Sequence, residues 1–210
     1  ELIELRAQEK NGFMISDTEF SEFIKQYRPD AYIFSNPCNP TGQSVKGGSL
    51  ANYVDICRKE NCLLGCDDFY ATFAYEEDGS PSKEPVSVLP FIEDVNKDPV
   101  VVFDGLTKGF RYPGWRAAWM VGPKYLIEMV NRAASAVDGG PSTIVQRAAI
   151  EELSSGHAEA ELLATRKEFA VKRRLMIDGL QSIGIRVPDP QPLGTFYVWA
   201  SLENLSLIHI

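Results

Sequence analysis

A chain of 210 residues with 44% apolar content can bury one large domain, or one together with part of another. Its net charge of −8 turns it away from nucleic acid, no apolar run reaches membrane-spanning length, and no basic-then-apolar leader opens the chain. Four cysteines (Cys38, Cys57, Cys62, Cys66) without a C-x-x-C pair, and only His157 and His209 beside them, exclude metal-site spacing and a disulfide framework; reduced thiols in a cytosolic protein are expected.

In chain order, the first strand is expected near 31–34, where Tyr32-Ile-Phe runs into the turn cluster Asn36-Pro-Cys-Asn39-Pro-Thr-Gly42. Ser49 is then placed to cap a helix whose stripe is Leu50, Tyr53, Val54 and Cys57. That helix makes a right-handed crossover to a second strand at 62–66, which ends in Asp67-Asp68-Phe-Tyr70. Residues 76–85, rich in Glu, Ser, Lys and Pro, read as an exposed loop. A third apolar strand, Val100-Val-Val-Phe103, leads to Asp104-Gly-Leu-Thr107-Lys108, with Arg116 eight positions beyond the lysine. A strand at 117–121, a helix at 123–136, a break at Gly139-Gly-Pro141 and a helix at 142–153 follow. A long helix at 157–180 carries Leu162, Phe169, Arg173, Met176 and Leu180 at near-heptad positions. Lys167, Lys172, Arg173 and Arg174 read as its solvated side. Strands are expected again within 185–202, and no internal repeat or low-complexity tract interrupts the chain.

Three segments share one grammar: a buried strand, then a polar residue with chemistry to offer. Taken singly, a lysine is ordinarily a solvated charge, a Pro/Asn/Gly cluster an ordinary loop, and an acidic strand end a turn toward water. Together they place three reactive residue types at one sheet edge, where α/β proteins hold their ligands. A partly desolvated Lys108 amine is a nucleophile toward a carbonyl, and the planar fork of Arg116 suits a phosphate. That combination suggests a Schiff base with pyridoxal phosphate.

These residues resemble the class I/II family of pyridoxal-phosphate-dependent aminotransferases, of fold type I. NPCNPTG at 36–42 is similar to the family's asparagine loop, Asp67-Asp-Phe-Tyr70 to its D-x-x-Y, and Thr107-Lys108 through Gly114-Trp-Arg116 to its lysine–arginine segment. Gly194-Thr-Phe-Tyr-Val-Trp199 is a weaker match, to a strand of the small domain. The resemblance implies a mixed, mostly parallel sheet flanked by helices: a partial large cofactor domain at 1–155, a linking helix at 156–182 and the start of a small α+β domain at 183–210. It implies that Lys108 forms the aldimine with the cofactor and moves the proton, and that Asp67 keeps the pyridine nitrogen protonated. By the same resemblance, Asn39 and Tyr70 hold the ring's phenolic oxygen, and Thr107 and Arg116 the phosphate. Asp68 is the rival acid, but its side chain should face away from that of Asp67 in an extended segment.

Gly105 departs from the family, many of whose members carry a hydroxyl there; Tyr112 and Trp115 are read as packing aromatics rather than cofactor-stacking ones. The expected activity is transfer of an amino group between an amino acid and a 2-oxo acid. A lyase or synthase on the same scaffold, or the ligand-sensing domain of a transcription regulator, stands as the alternative. Against full-length relatives the chain reads as a fragment. Its upstream phosphate turn, stacking aromatic and downstream substrate-carboxylate arginine are missing, and alone it is expected not to turn over efficiently. A homodimer is implied for the longer protein. The tail 205–210 does not continue the family pattern and is a candidate sequence artefact.

Overall fold

The structure is a computed structural model and describes residues 2–203 except residue 138. The tail 205–210, with His209, lies outside the described residues. Its elements are α1 (Asp17–Tyr27), β1 (Ala31–Ser35), α2 (Gly47–Glu60), β2 (Leu63–Asp67), β3 (Val100–Gly105), β4 (Ala118–Val121), α3 (Lys124–Val137), α4 (Thr143–Glu152) and α5 (Ser155–Ser182). The sheet order is β1-β2-β3-β4. The first three strands are parallel and β4 runs antiparallel to β3. The expected α/β architecture with a mostly parallel sheet is therefore the one observed.

Helix α1 is not among the elements expected above, although its signal is in the sequence. Ser16 and Glu19 form a capping box: the Glu19 amide donates to Ser16 Oγ at 3.2 Å and the Ser16 amide to Glu19 Oε2 at 2.9 Å. Phe20, Phe23 and Ile24 then fall on one buried face. The stripe expected of α2 is buried as written: Leu50, Tyr53, Val54 and Cys57. The start of α2 differs, at Gly47 behind Lys46 rather than behind Ser49. Lys46 Nζ donates to the Tyr75 carbonyl at 2.5 Å and Asn36 brackets Val45, so the chain is anchored just ahead of Gly47 and the helix begins where the anchor ends.

Alternation sets the faces of the sheet. Tyr32, Phe34, Leu64, Cys66, Val100 and Val102 point toward α1 and α2 and share the main core with Phe20 and Tyr53, whose rings stack at 3.8 Å. Ile33, on the opposite face of the first strand, is 70% exposed. A second, smaller cluster joins Leu106, Phe110 and Ala117 to Trp119, Val145 and Leu162.

Two expectations for the C-terminal part are corrected. The inner side of α5 carries Thr165, Arg166, Ala170 and Ile177, while Met176 is exposed. The reason is polar: Arg166 donates to the carbonyls of Ser82 and Lys83 at 2.6 and 2.5 Å, and Arg173 to that of Pro192 at 2.8 Å. Arg173 also lies over the Tyr75 ring, so it does not belong to a solvated face. Residues 185–202 form isolated bridges, Ala74↔Gly194 and Arg186↔Ser201, rather than strands. Their backbone groups are taken up by loops instead, as in the bonds of Gly194 to Gly42 and Thr195 to Phe73.

Candidate functional site

The parallel register brings the three segments together. Ser35 sits opposite Asp67 and Asp67 opposite Phe103, so the loops that follow all leave from one edge. Two bonds extend the ladder past the strand ends: Asn36 donates its amide to Asp67 at 3.0 Å, and Asp68 donates to Phe103 at 2.9 Å. A parallel sheet makes this placement nearly unavoidable, because crossover connections return every strand in the same direction.

The asparagine loop is held by one of its asparagines and leaves the other free. Buried Asn36 donates from Nδ2 to the Val45 carbonyl at 3.0 Å and accepts the Val45 amide at 2.9 Å. Gly42, at φ 74°, is where the loop turns back; a Cβ there would come within 2.6 Å of Pro192 and 2.9 Å of the Tyr197 carbonyl. Asn39 is exposed, and its side chain makes no hydrogen bond among the described residues.

At the end of β2 the two acids part. Asp67 shares the face of Gly65, and its Oδ1 accepts the Phe69 amide at 3.3 Å. Asp68 shares the face of Cys66 and is buried against Ser87, whose Oγ donates to Asp68 Oδ2 at 2.6 Å. Burial, with Asp104 and Asp67 nearby, pushes the Asp68 carboxyl up to about 7. Tyr70 is buried, and its hydroxyl lies 2.9 Å from that of Tyr197.

After β3 the chain makes a closed loop whose base is the bond from the Leu106 amide to the Ala117 carbonyl at 3.0 Å. The register itself ends at Gly105↔Ala118, and the Leu106 carbonyl accepts the Tyr112 amide at 2.9 Å, so Thr107 and Arg116 lie on the loop beyond the ladder. Arg116 has a left-handed φ of 55°, is exposed, and spends one donor on the Pro113 carbonyl at 2.9 Å. Thr107 makes no side-chain hydrogen bond among the described residues. Lys108 is half-buried, with Nζ 5.4 Å from the Tyr70 ring centre and 5.8 Å from that of Phe196. Among the described residues no carboxylate lies within ion-pairing distance of that ammonium. Tyr112 and Trp115 stack on each other at 4.2 Å against the smaller core cluster, which accords with a packing role.

Two features escaped the sequence reading. Phe196 and Tyr197 frame the lysine and Tyr70, and the Tyr70 hydroxyl bond holds the Tyr197 phenol above its ordinary range. Their signal was the aromatic pair behind Gly194-Thr195, where a Cβ on Gly194 would meet Pro37 of the asparagine loop at 2.3 Å. The second is the reason for Gly105. A Cβ there would stand 2.7 Å from the Ala117 carbonyl and 2.8 Å from Ala118 Cα, so close β3–β4 packing excludes a hydroxyl side chain.

Comparison with known proteins bears on this arrangement. The family model described as aminotransferase class I and II matches residues 1–208. Among curated proteins, the aspartate aminotransferase of Pyrococcus abyssi is 24% identical over 98% of this chain and 50% of its own length. An LL-diaminopimelate aminotransferase of Nitratidesulfovibrio vulgaris is 32% identical over 82% of this chain and 42% of its own length. Among solved structures, a mutant aspartate aminotransferase of Thermus thermophilus superposes with a TM-score of 0.83 at 24% identity, over 98% of this chain and 50% of that one. This chain thus spans about half the length of the relatives it matches.

Proposed function

Because the chain belongs to the class I and II aminotransferase family, we propose that it carries the cofactor-holding residues of an enzyme that moves an amino group from an amino acid to a 2-oxo acid. The observation that carries this reading is the shared edge at which β1, β2 and β3 release Asn39, Asp67 and Lys108. The residues suit pyridoxal 5'-phosphate: a lysine without an acid partner among the described residues, a carboxylate on the neighbouring strand, and a threonine and an arginine on the loop that carries the lysine. When bound, that cofactor supplies an aldehyde for a covalent bond and a ring that withdraws electrons.

Lys108 contributes the amine that bonds to the aldehyde and, once released, holds and moves a proton at Nζ. The aromatic rings of Tyr70 and Phe196 exclude water from one side of that amine. Asp67 holds a proton on the pyridine nitrogen by its opposite charge. Tyr70, already oriented by Tyr197, and Asn39 orient the phenolic oxygen. Thr107 and Arg116 bind the phosphate, the guanidinium through the donors that Pro113 leaves unused.

The amino acid and 2-oxo acid are the proposed partners, with a homodimer for the longer protein. The division at 1–155, 156–182 and 183–210 belongs to the same proposal. Free, buried Cys57, Cys62 and Cys66 support a reducing, cytoplasmic setting. Among the described residues no helix is long and apolar enough to cross a membrane.

The test is covalent capture. Pyridoxal phosphate added to the protein should give a visible absorption band and, after borohydride reduction, a mass increment on the peptide containing Lys108. Lys108→Ala should abolish both. Capture undiminished in that variant would sink the assignment. Formation of a 2-oxo acid that depends on an acceptor oxo acid separates transfer from the lyase alternative.

A further inference from the structure

We propose that Tyr197 is a positioning residue for the cofactor site: its hydroxyl donates to that of Tyr70, which leaves the Tyr70 proton to donate to an anionic oxygen seated beside Lys108. The proposal deepens the reading of that edge as a pyridoxal phosphate site and rests on it, but the bond between the two phenols belongs to the chain alone.

The contact is direct. The two hydroxyl oxygens lie 2.9 Å apart, within ordinary O–H···O range, and the rings meet edge to face with their centres 5.6 Å apart. Tyr70 is 3% exposed, and among the described residues its hydroxyl has no other hydrogen-bond partner. Two phenols carry two protons, and one bond uses one of them. The other proton is available to a third atom. An anionic oxygen can only accept, so it takes the Tyr70 proton, and the Tyr70 lone pair then takes that of Tyr197. In such a chain each bond polarises the next, which makes Tyr70 a stronger donor than a phenol acting by itself. Lys108 Nζ, 5.4 Å from the Tyr70 ring centre, marks the side on which that oxygen belongs.

The backbone ahead of Tyr197 is fixed for this placement. Thr195 is buried at a left-handed φ of 59°, a conformation that β-branched residues rarely adopt. Its amide donates to the Phe73 carbonyl at 2.8 Å, its carbonyl accepts the Tyr75 hydroxyl at 2.9 Å, and its Oγ1 accepts the Tyr197 amide at 3.0 Å. The Gly194 amide donates to the Gly42 carbonyl at 2.8 Å, which ties the same turn to the asparagine loop. A strained residue persists only where its surroundings over-determine it, and such residues cluster at functional sites. Here the strained turn sends Phe196 toward the Lys108 amine and Tyr197 onto the Tyr70 hydroxyl.

The electrostatics agree with that direction of donation. The bond to Tyr70, and after it burial, hold the Tyr197 phenol above its ordinary value, while the Lys108 ammonium opposes them. Tyr70 and Lys108 are the titratable groups acting on it among the described residues. A phenol held upward keeps its proton, as a donor must.

The test compares wild type, Tyr197→Phe, Tyr70→Phe and the double variant, each of which keeps both rings. Without cofactor, NMR titration of isotope-labelled tyrosine rings follows the Tyr197 phenol, identified by the signal that Tyr197→Phe removes. That phenol should ionise at lower pH in Tyr70→Phe than in wild type; a titration that does not move would overturn the bond. With pyridoxal phosphate, Tyr197→Phe should lose several-fold in affinity, and its visible band should titrate at higher pH. The sign follows because a weakened donor leaves more negative charge on the phenolic oxygen, which holds the neighbouring proton more tightly. In the Tyr70→Phe background the same substitution should have neither effect. Equal losses in the two backgrounds would show that Tyr197 acts without Tyr70 and would sink the relay. A wild type that gives no band would defeat the cofactor reading and the relay's target with it, while the NMR titration would still report the phenol pair.

Discussion

Two stretches of this molecule are built from equally clear helical patterns and end in different states. Between Asp17 and Gly105, Phe20, Ile24, Val54 and Leu64 are fully buried. Helices α3 and α4 contain no buried residue among those described, and Ile144 and Ile150 are 80% and 68% exposed. The contrast shows that an apolar stripe makes a helix amphipathic but does not supply the second surface that buries it. In the first stretch α1, α2 and a sheet face supply one another with that surface. The candidate site lies where the two stretches meet, with Asp67 on the packed side and the Lys108 loop leading away from it.

The comparison breaks most readily at single side chains. Phe20→Ala removes a ring stacked on Tyr53 in the closed core and should cost about 3 to 5 kcal/mol in denaturant unfolding. Ile144→Ala should change stability by no more than about 0.5 kcal/mol. Equal losses at the two positions would mean that α4 has a packing partner in solution and would erase the distinction.

A second effect sharpens the comparison through pH. Asp98, buried on the packed side, accepts Arg58 Nε at 2.7 Å and the Glu93 amide at 2.7 Å, and the guanidinium holds its carboxyl down at about 2. A depressed carboxyl stabilises the fold above its ordinary 3.8 and loses that contribution as the pH falls through about 2. Asp98→Asn should therefore cost about 2 kcal/mol near neutrality and little below about pH 2, measured by unfolding across that range. This limb has the opposite sign to that of Asp68 and Asp104, whose carboxyls burial pushes up to about 7 and about 6, so that their contribution is lost as the pH rises through those values. The chain thus carries both slopes, and of Asp68, Asp98 and Asp104 it is Asp98 that has a cation within ion-pairing distance among the described residues.

The smallest effect concerns how the packed side begins. Ser16→Ala breaks the capping box of α1 and should cost about 1 kcal/mol. A Ser16→Asp variant that still caps should restore most of it, so equal destabilisation by the two would show that the box is incidental.

Much of this was legible in the residues. The apolar runs ahead of Asn36, Asp67 and Asp104 marked the three parallel strands, and the stripe of α2 marked its buried face. Asn39, Asp67, Tyr70, Thr107, Lys108 and Arg116 stood out because they fall on the segments that resemble the family's asparagine loop, D-x-x-Y and lysine–arginine stretch. The helix α1 was equally legible from Ser16 and Glu19 but carried no reactive residue to draw attention. The inner face of α5 was not readable, because Arg166 and Arg173 are turned inward by carbonyls of distant loops rather than by any period of their own. The bond between Tyr70 and Tyr197 spans 127 residues, and no local pattern announces a partner at that separation.

Periodicity and turn residues by themselves marked the three parallel strands, the stripe of α2 and the sheet edge, since each depends on neighbours a few positions apart, while the candidate site residues came from the family resemblance. Tertiary structure alone decided that Gly105 admits no side chain, that Phe196 and Tyr197 frame Lys108, and that Asp68 lies across from Asp104 with no cation within ion-pairing distance of either among the described residues. Those three depend on distances between separate strands and loops, and only the packed chain sets such distances.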